Sequence, residues 1–102
     1  MTEVHLTLPE WAFAEMARLP AVMPTLEARM AAVIRFSQLN FERNTGGPFA
    51  AGVFERDSGR LVVIGVNRVM PINCSSAHAE VMALSVAQQI LGGWDLSGPG
   101  LP

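Results

Sequence analysis

The sequence predicts an α/β fold in which helices flank a short β-sheet. Two observations carry this prediction. Residues 26–41 place apolar side chains at three- and four-residue steps, which is the spacing of one helix face. Residues 49–55 and 61–66 are instead rich in aromatic and β-branched residues, and a short polar segment joins them, as in a β-hairpin. A further helix is predicted after the hairpin.

The segment before the hairpin contains two predicted helices. Thr7 to Glu10 fits a capping box with Thr7 as the N-cap, and it predicts a short helix that ends near Leu19, before Pro20. The longer helix begins at Thr25. Its apolar stripe, which we expect to form core against the sheet, comprises Leu26, Met30, Val33, Ile34, Ser37 and Phe41.

The hairpin and the last helix follow in order. The turn at 56–60 is polar and contains glycine, and 61–64 is continuously apolar, as expected of a strand covered on both faces. A helix is predicted over about 76–91, closed by Gly92, with a loop-like tail over 95–102. Two strands form only a marginal sheet, so we expect more strands to belong to it.

Composition narrows the class of partner. Half of the 102 residues are hydrophobic and 16% are charged, which suits a packed domain rather than a disordered segment. The net charge is −2 and the seven basic residues, all arginine, form no run, so we expect no nucleic-acid partner and a small neutral substrate instead. A single cysteine and no apolar stretch of about 20 residues predict a cytoplasmic protein without a membrane span.

His78, Ala79 and Glu80 carry the chemistry that the sequence offers. A catalytic zinc needs three protein ligands and an open position for water, and hydrolysis of an amine needs a carboxylate that moves protons. Residues two apart on a helix do not share a face, so Glu80 need not be a ligand beside His78. His-x-Glu followed by Pro-Cys-x-x-Cys is typical of zinc deaminases, although the tripeptide alone is a weak signal.

Three segments together carry a family resemblance. They are Gly-Gly-Pro-Phe-Ala-Ala at 46–51, Gly-Val-Asn at 65–67 and Ala-His-Ala-Glu-Val-Met-Ala-Leu at 77–84. In this order and spacing they resemble the cytidine and deoxycytidylate deaminase superfamily, closest to its bacterial guanine deaminase branch. The resemblance implies a three-layer α/β/α sandwich. Residues 1–102 would form the N-terminal portion of that single domain, with its helices, β-hairpin and active-site helix.

The resemblance also implies roles for single residues. It makes His78 a zinc ligand, Glu80 the catalytic proton shuttle, and Asn67, Phe49 and the Ala79 backbone the groups that bind substrate. Without the family match, Asn67 is equally well interpreted as a turn residue after a strand, and Phe49 is better interpreted as a core residue. The order of the motifs predicts that Asn67 and His78 converge on one cleft, lined by Glu80 and Phe49.

The sequence departs from the family pattern in two places. Cys74-Ser75-Ser76-Ala77 stands where guanine deaminases often have Asp-Pro-Thr-Ala, and we expect Cys74 to be a small, partly buried side chain and not a ligand. The family's two cysteine ligands lie downstream, and no cysteine follows His78. We therefore expect a truncated product, a fragment whose C-terminal segment is a separate chain, or a shortened relative.

The function that the resemblance implies is zinc-dependent hydrolytic deamination of a free nucleobase, above all guanine to xanthine and ammonia. The alternatives are a tRNA adenosine deaminase-type enzyme, which would call for a basic surface, deamination of cytosine or a triazine-like amine, and a non-catalytic fragment that only associates with a partner chain. Relatives are usually dimers, so a homodimer is expected. The 102-residue chain alone, with one zinc ligand, is expected to be inactive.

Overall fold

The computed structural model describes residues 2–97. Along them lie the helices and strands α1 (Glu10–Ala17), α2 (Leu26–Glu42), β1 (Ala50–Phe54), β2 (Leu61–Val66) and α3 (Ala79–Leu91). This order confirms the predicted α/β fold. The last five residues of the predicted loop-like tail lie outside the described residues. Within the described range, no helix combines the length and the apolar character needed to cross a bilayer.

The strands β1 and β2 form an antiparallel hairpin. Ala50 lies opposite Val66, and the register shifts beyond Val53. The segment between α1 and α2 is hydrogen-bonded to the start of β2, because Leu61 N–H donates to the Ala21 carbonyl at 2.9 Å. Among residues 2–97, β1 pairs only with β2.

The hairpin lies between two layers of helix, and two glycines show how closely they pack. A β-carbon at Gly52 would meet Val33 of α2 at 3.1 Å. A β-carbon at Gly65 would instead meet the backbone of α3 at Ala79 and Ala83. The two glycines therefore face helices on opposite sides of the sheet, and the predicted α/β/α layering is confirmed.

Gly65→Ala is expected to destabilise the fold by about 1–3 kcal/mol or more, as overpacking does. The added methyl group would lie 2.8 Å from the Ala79 oxygen, and helix backbone cannot move aside cheaply. Urea denaturation of the full-length protein measures the loss. Gly52→Ala is the matched control, because there the methyl meets side-chain atoms of Val33 and Phe54, which can shift. An equal loss in both variants would contradict the argument.

The buried face of α2 differs from the predicted one. Leu26 is 69% and Phe41 is 64% exposed, and the apolar residues of α2 that are buried are Ala32, Phe36 and Leu39. Of the predicted stripe, Val33 and Ser37 are half-buried. The helix has apolar residues on more than one face. Periodicity shows which residues share a face, but it does not show which face meets the sheet.

The predicted capping box of α1 is wrong, whereas Thr25, the predicted start of the longer helix, is the N-cap of α2. Pro9 is the N-cap of α1, in extended conformation and without a side-chain cap bond. The Thr7 backbone carbonyl instead accepts a hydrogen bond from Arg68 Nε at 3.0 Å, which holds this segment outside the helix. At α2, the Thr25 hydroxyl accepts from Ala28 N–H at 3.2 Å.

The last helix begins three residues later than predicted. The Cys74 thiol and the Ser76 hydroxyl lie 3.2 Å apart, and Ala77 N–H donates to the Cys74 carbonyl at 3.0 Å. This local turn keeps Ser76 out of the helix and makes His78 the N-cap. Gly92 ends the helix in the left-handed conformation, as predicted.

Candidate active site

His78 and Glu80 stand at the first turn of α3 and are both open to solvent. His78 is the N-cap, and its side chain makes no capping bond. Its Nδ1 lies 4.0 Å from Glu80 Oε1, and the two side chains are 59% and 67% exposed. That separation is too long for a hydrogen bond. The imidazole and the carboxylate are therefore each available to a ligand.

Ala79 places a backbone donor between them. It is the first residue of α3 and is almost fully buried. The N–H groups of a first helical turn have no acceptor within their own helix, so the Ala79 N–H can donate to a ligand at the helix N-terminus. The helix itself starts with Met82 N–H donating to the His78 carbonyl at 2.9 Å.

Asn67 and Phe49 flank the same end of the hairpin. Asn67 N–H donates to the Phe49 carbonyl at 3.1 Å, which prolongs the strand pairing by one step. Asn67 Oδ1 accepts from Val69 N–H at 3.2 Å, an Asx turn, so the structural alternative for this residue is present too. The Asn67 Nδ2 hydrogens are then what the amide offers to a ligand. Phe49 is 62% exposed, so the core reading of this residue is wrong.

A backbone hydrogen bond joins this end of the sheet to the start of α3. Arg68 N–H donates to the Ala77 carbonyl at 2.9 Å, one residue from Asn67 on one side and one from His78 on the other. The five predicted residues therefore lie at one end of the hairpin. An open groove of about 740 Å³ lies elsewhere, between the N-terminal segment 4–8 and α3, and none of the five lines it.

The donor set for a metal is incomplete in this part of the molecule. Residues 2–97 contain no group of three or more His, Cys, Asp and Glu side chains that could hold a metal ion. The exposed His78 imidazole fits one position of a zinc site, and a catalytic zinc needs three protein ligands. Cys74 is partly buried, as predicted, and its hydrogen bonds with Ser76 lower the pKa of its thiol.

A buried amide that no sequence motif marks lies behind this site. Asn40 of α2 is fully buried and donates from Nδ2 to the backbone oxygens of Gly47 and Asn67, each at 2.9 Å. Asn40 lies between Leu39 and Phe41 in the sequence, so the pattern there indicates an apolar stretch of helix and does not single out the amide. The available signal was an amide inside an apolar helix, shortly before a Gly-Gly loop.

No protein-family model and no curated protein sequence matches the chain. Among solved structures, the guanine deaminase from Nitrosomonas europaea is 47% identical over 98% of this chain and 54% of its own, with a TM-score of 0.86. NE0047 in complex with 2,6-diaminopurine is 49% identical over 96% of this chain and 51% of its own, with a TM-score of 0.85. The guanine deaminase from Bacillus subtilis is 30% identical over 71% of this chain and 45% of its own, with a TM-score of 0.64.

These matches confirm the predicted resemblance to the cytidine deaminase superfamily. Within that superfamily, the chain is similar in sequence and fold to the N-terminal part of bacterial guanine deaminases. It spans about half the length of the solved structures that it matches.

Proposed function

We propose that the full-length protein deaminates a free purine base, with guanine as the leading substrate and xanthine and ammonia as products. The observation that carries the proposal is the likeness to guanine deaminases over nearly all of this chain. The complex of the similar protein NE0047 with 2,6-diaminopurine supports a purine ligand. Residues 1–102 would form the N-terminal portion of one catalytic domain, in a homodimeric, cytoplasmic enzyme.

The base would be held at the end of the hairpin. The Asn67 Nδ2 hydrogens would donate to an acceptor on the base edge, because Oδ1 is already engaged by Val69 N–H. The exposed Phe49 ring would pack on the base, and the Ala79 N–H would donate from the helix N-terminus.

Proton transfer would fall to Glu80. Its exposed carboxylate makes no hydrogen bond to His78 and can take a proton from the attacking water and pass it to the ring nitrogen. It would then take the second proton, from the hydroxyl added to the base, and pass it to the amine, which leaves as ammonia. His78 would be the one zinc ligand supplied by this chain. Zinc, when bound, would act as a Lewis acid that makes water nucleophilic at neutral pH.

The 102-residue chain by itself is expected to bind zinc poorly and to release no ammonia from guanine. It contains two histidines and one cysteine, and the structure gathers no three of its donors within residues 2–97. Metal analysis and an ammonia assay on the purified chain check this. Stoichiometric zinc together with xanthine formation would show that the ligand set is sufficient.

The experiment that tests the proposed function is product analysis with the full-length protein. Guanine, adenine, cytosine and tRNA are supplied separately, and xanthine or the corresponding products are quantified. Xanthine from guanine supports the proposal. Inosine formed in tRNA, with guanine untouched, would favour the tRNA adenosine deaminase alternative. Lack of turnover with every substrate would leave only association with a partner.

Asn67→Ala is expected to lower kcat/KM for guanine by about 5- to 150-fold, the range that corresponds to a polar partner left unpaired. Zinc content should not change, because Asn67 is assigned to the base and not to the metal. Steady-state kinetics and metal analysis measure both. Gln38→Ala, which removes an exposed amide from α2, is the matched control. Zinc loss in Asn67→Ala would contradict the assignment.

A further inference from the structure

The amide of Asn40 occupies a position that neither the motifs nor the proposed chemistry explains. It is a fully buried polar side chain. Both Nδ2 hydrogens are used on different backbone carbonyls, Gly47 and Asn67, which lie 7 and 27 residues away in the chain. Its Oδ1 accepts from the Thr45 hydroxyl at 2.7 Å. A buried amide with every hydrogen bond satisfied joins the Gly-Gly loop to the end of β2.

We infer that Asn40 is a positioning residue for the deamination reaction, holding the Gly46–Gly47 loop and the Asn67 backbone so that the Asn67 amide meets the base. The inference rests on the proposed function. By this inference, α2 positions the groups that are proposed to bind the base, although it contains none of the predicted site residues.

The Asn67 carbonyl is fixed from two sides. A β-carbon at Gly46 would overlap the Asn67 oxygen, so the glycine backbone packs directly against it. Asn40 Nδ2 donates to the same oxygen. A β-carbon at Gly47 would lie 3.4 Å from the Phe49 ring and 3.8 Å from Asn67 Oδ1. The loop that Asn40 holds therefore lies beside both predicted base-binding side chains.

A second layer of hydrogen bonds sets which way the Asn40 amide points. Trp11 Nε1 donates to the Thr45 hydroxyl oxygen at 2.9 Å. Because an indole N–H is a donor only, the hydroxyl keeps its own hydrogen for Asn40 Oδ1. That orientation directs Nδ2 toward the two carbonyls. Arg68 Nη1 donates to the Thr45 carbonyl at 2.7 Å and holds the layer in place.

A double-mutant cycle in the full-length protein tests the inference. Asn40→Leu removes both donors at similar volume and is expected to lower kcat/KM for guanine by about 10- to 100-fold. In the Asn67→Ala background, the same change should cost no more than about 3-fold, because a residue that acts through Asn67 has nothing left to position. The full loss in both backgrounds, or an unchanged kcat/KM in folded Asn40→Leu, would overturn the inference.

Thr45 supplies a milder pair of variants, which decides the question if Asn40→Leu does not fold. Thr45→Val removes the hydroxyl that orients the amide and should lower kcat/KM in the wild-type background but not with Asn67→Ala. Thr45→Ser retains the hydroxyl and should restore wild-type kinetics. Equal kinetics in Thr45→Val and Thr45→Ser would overturn the inference. Leu39→Ala is the control for lost packing at the adjacent buried position, and it should lower the Tm without lowering kcat/KM.

Hydrogen exchange separates this inference from the proposed function. Two backbone N–H groups report on the loop: that of Phe49 donates to the Gly47 carbonyl, and that of Asn67 donates to the Phe49 carbonyl. Both should exchange faster in Asn40→Leu than in Leu39→Ala. If the wild-type protein turns over no base, the proposed function fails, and exchange alone decides whether Asn40 holds the loop. Unchanged exchange at both amides would overturn the positioning role even in an active enzyme.

Discussion

Glu80→Gln is expected to abolish turnover by the full-length protein while its zinc content stays unchanged. The amide has the shape of the carboxylate but cannot take up and return a proton. General acid–base groups contribute about 10²- to 10⁴-fold, and the upper end is expected because one residue serves both water attack and ammonia departure. The carboxylate is exposed and not hydrogen-bonded to His78, so the substitution breaks no contact that the fold needs.

Turnover and metal content must be measured on the same preparation. Glu27→Gln is the matched control, since Glu27 also stands in the first turn of a helix but far from the site along the chain. It should leave both quantities unchanged. Zinc loss in Glu80→Gln would make Glu80 a ligand and overturn its assignment to proton transfer.

His78→Ala is expected to remove zinc and turnover together, the largest effect of any single substitution proposed for this chain. The imidazole is its one nitrogen donor at the start of α3. Because the His78 side chain makes no capping bond, its removal should not unfold the helix. Loss of function can then be separated from loss of stability.

The measurements are zinc content, turnover and Tm of the metal-free protein. His5→Ala provides the control, since His5 is the other histidine and its imidazole lies 2.9 Å from the exposed Glu3 carboxylate, in the N-terminal segment. It should behave as wild type. Full zinc occupancy in His78→Ala would contradict the assignment of this residue as a ligand.

The order of elements could be predicted from sequence because helix and strand have different periods. The second strand has the predicted bounds, 61–66, since its continuous apolar run has a polar turn before it and Asn67 after it. The buried face of α2 could not be predicted, because burial depends on where the hairpin lies. The start of α3 was missed for a local reason, since the turn at Cys74 and Ser76 competes with the first helical residues.

The same distinction holds for the site. His78, Ala79 and Glu80 are adjacent in sequence, so a motif could place them at one helix end. The link between Asn40 and Asn67 joins residues 27 apart through a side chain and a carbonyl, and no periodic pattern records such a contact. The motifs in the sequence therefore mark the residues proposed to bind substrate, but they do not mark the buried Asn40 amide behind them.

The surroundings of Trp11 give the protein an optical reporter of its own. The indole packs on Phe36 with ring centroids 5.5 Å apart, lies under the Arg43 guanidinium, and donates to Thr45. Trp94, the other tryptophan, is 83% exposed. In the 102-residue chain with Trp94→Phe, tryptophan emission comes from Trp11, and its wavelength responds to the surroundings of the indole, including the hydrogen bond to Thr45. Fluorescence then reads the state of the buried network without any substrate.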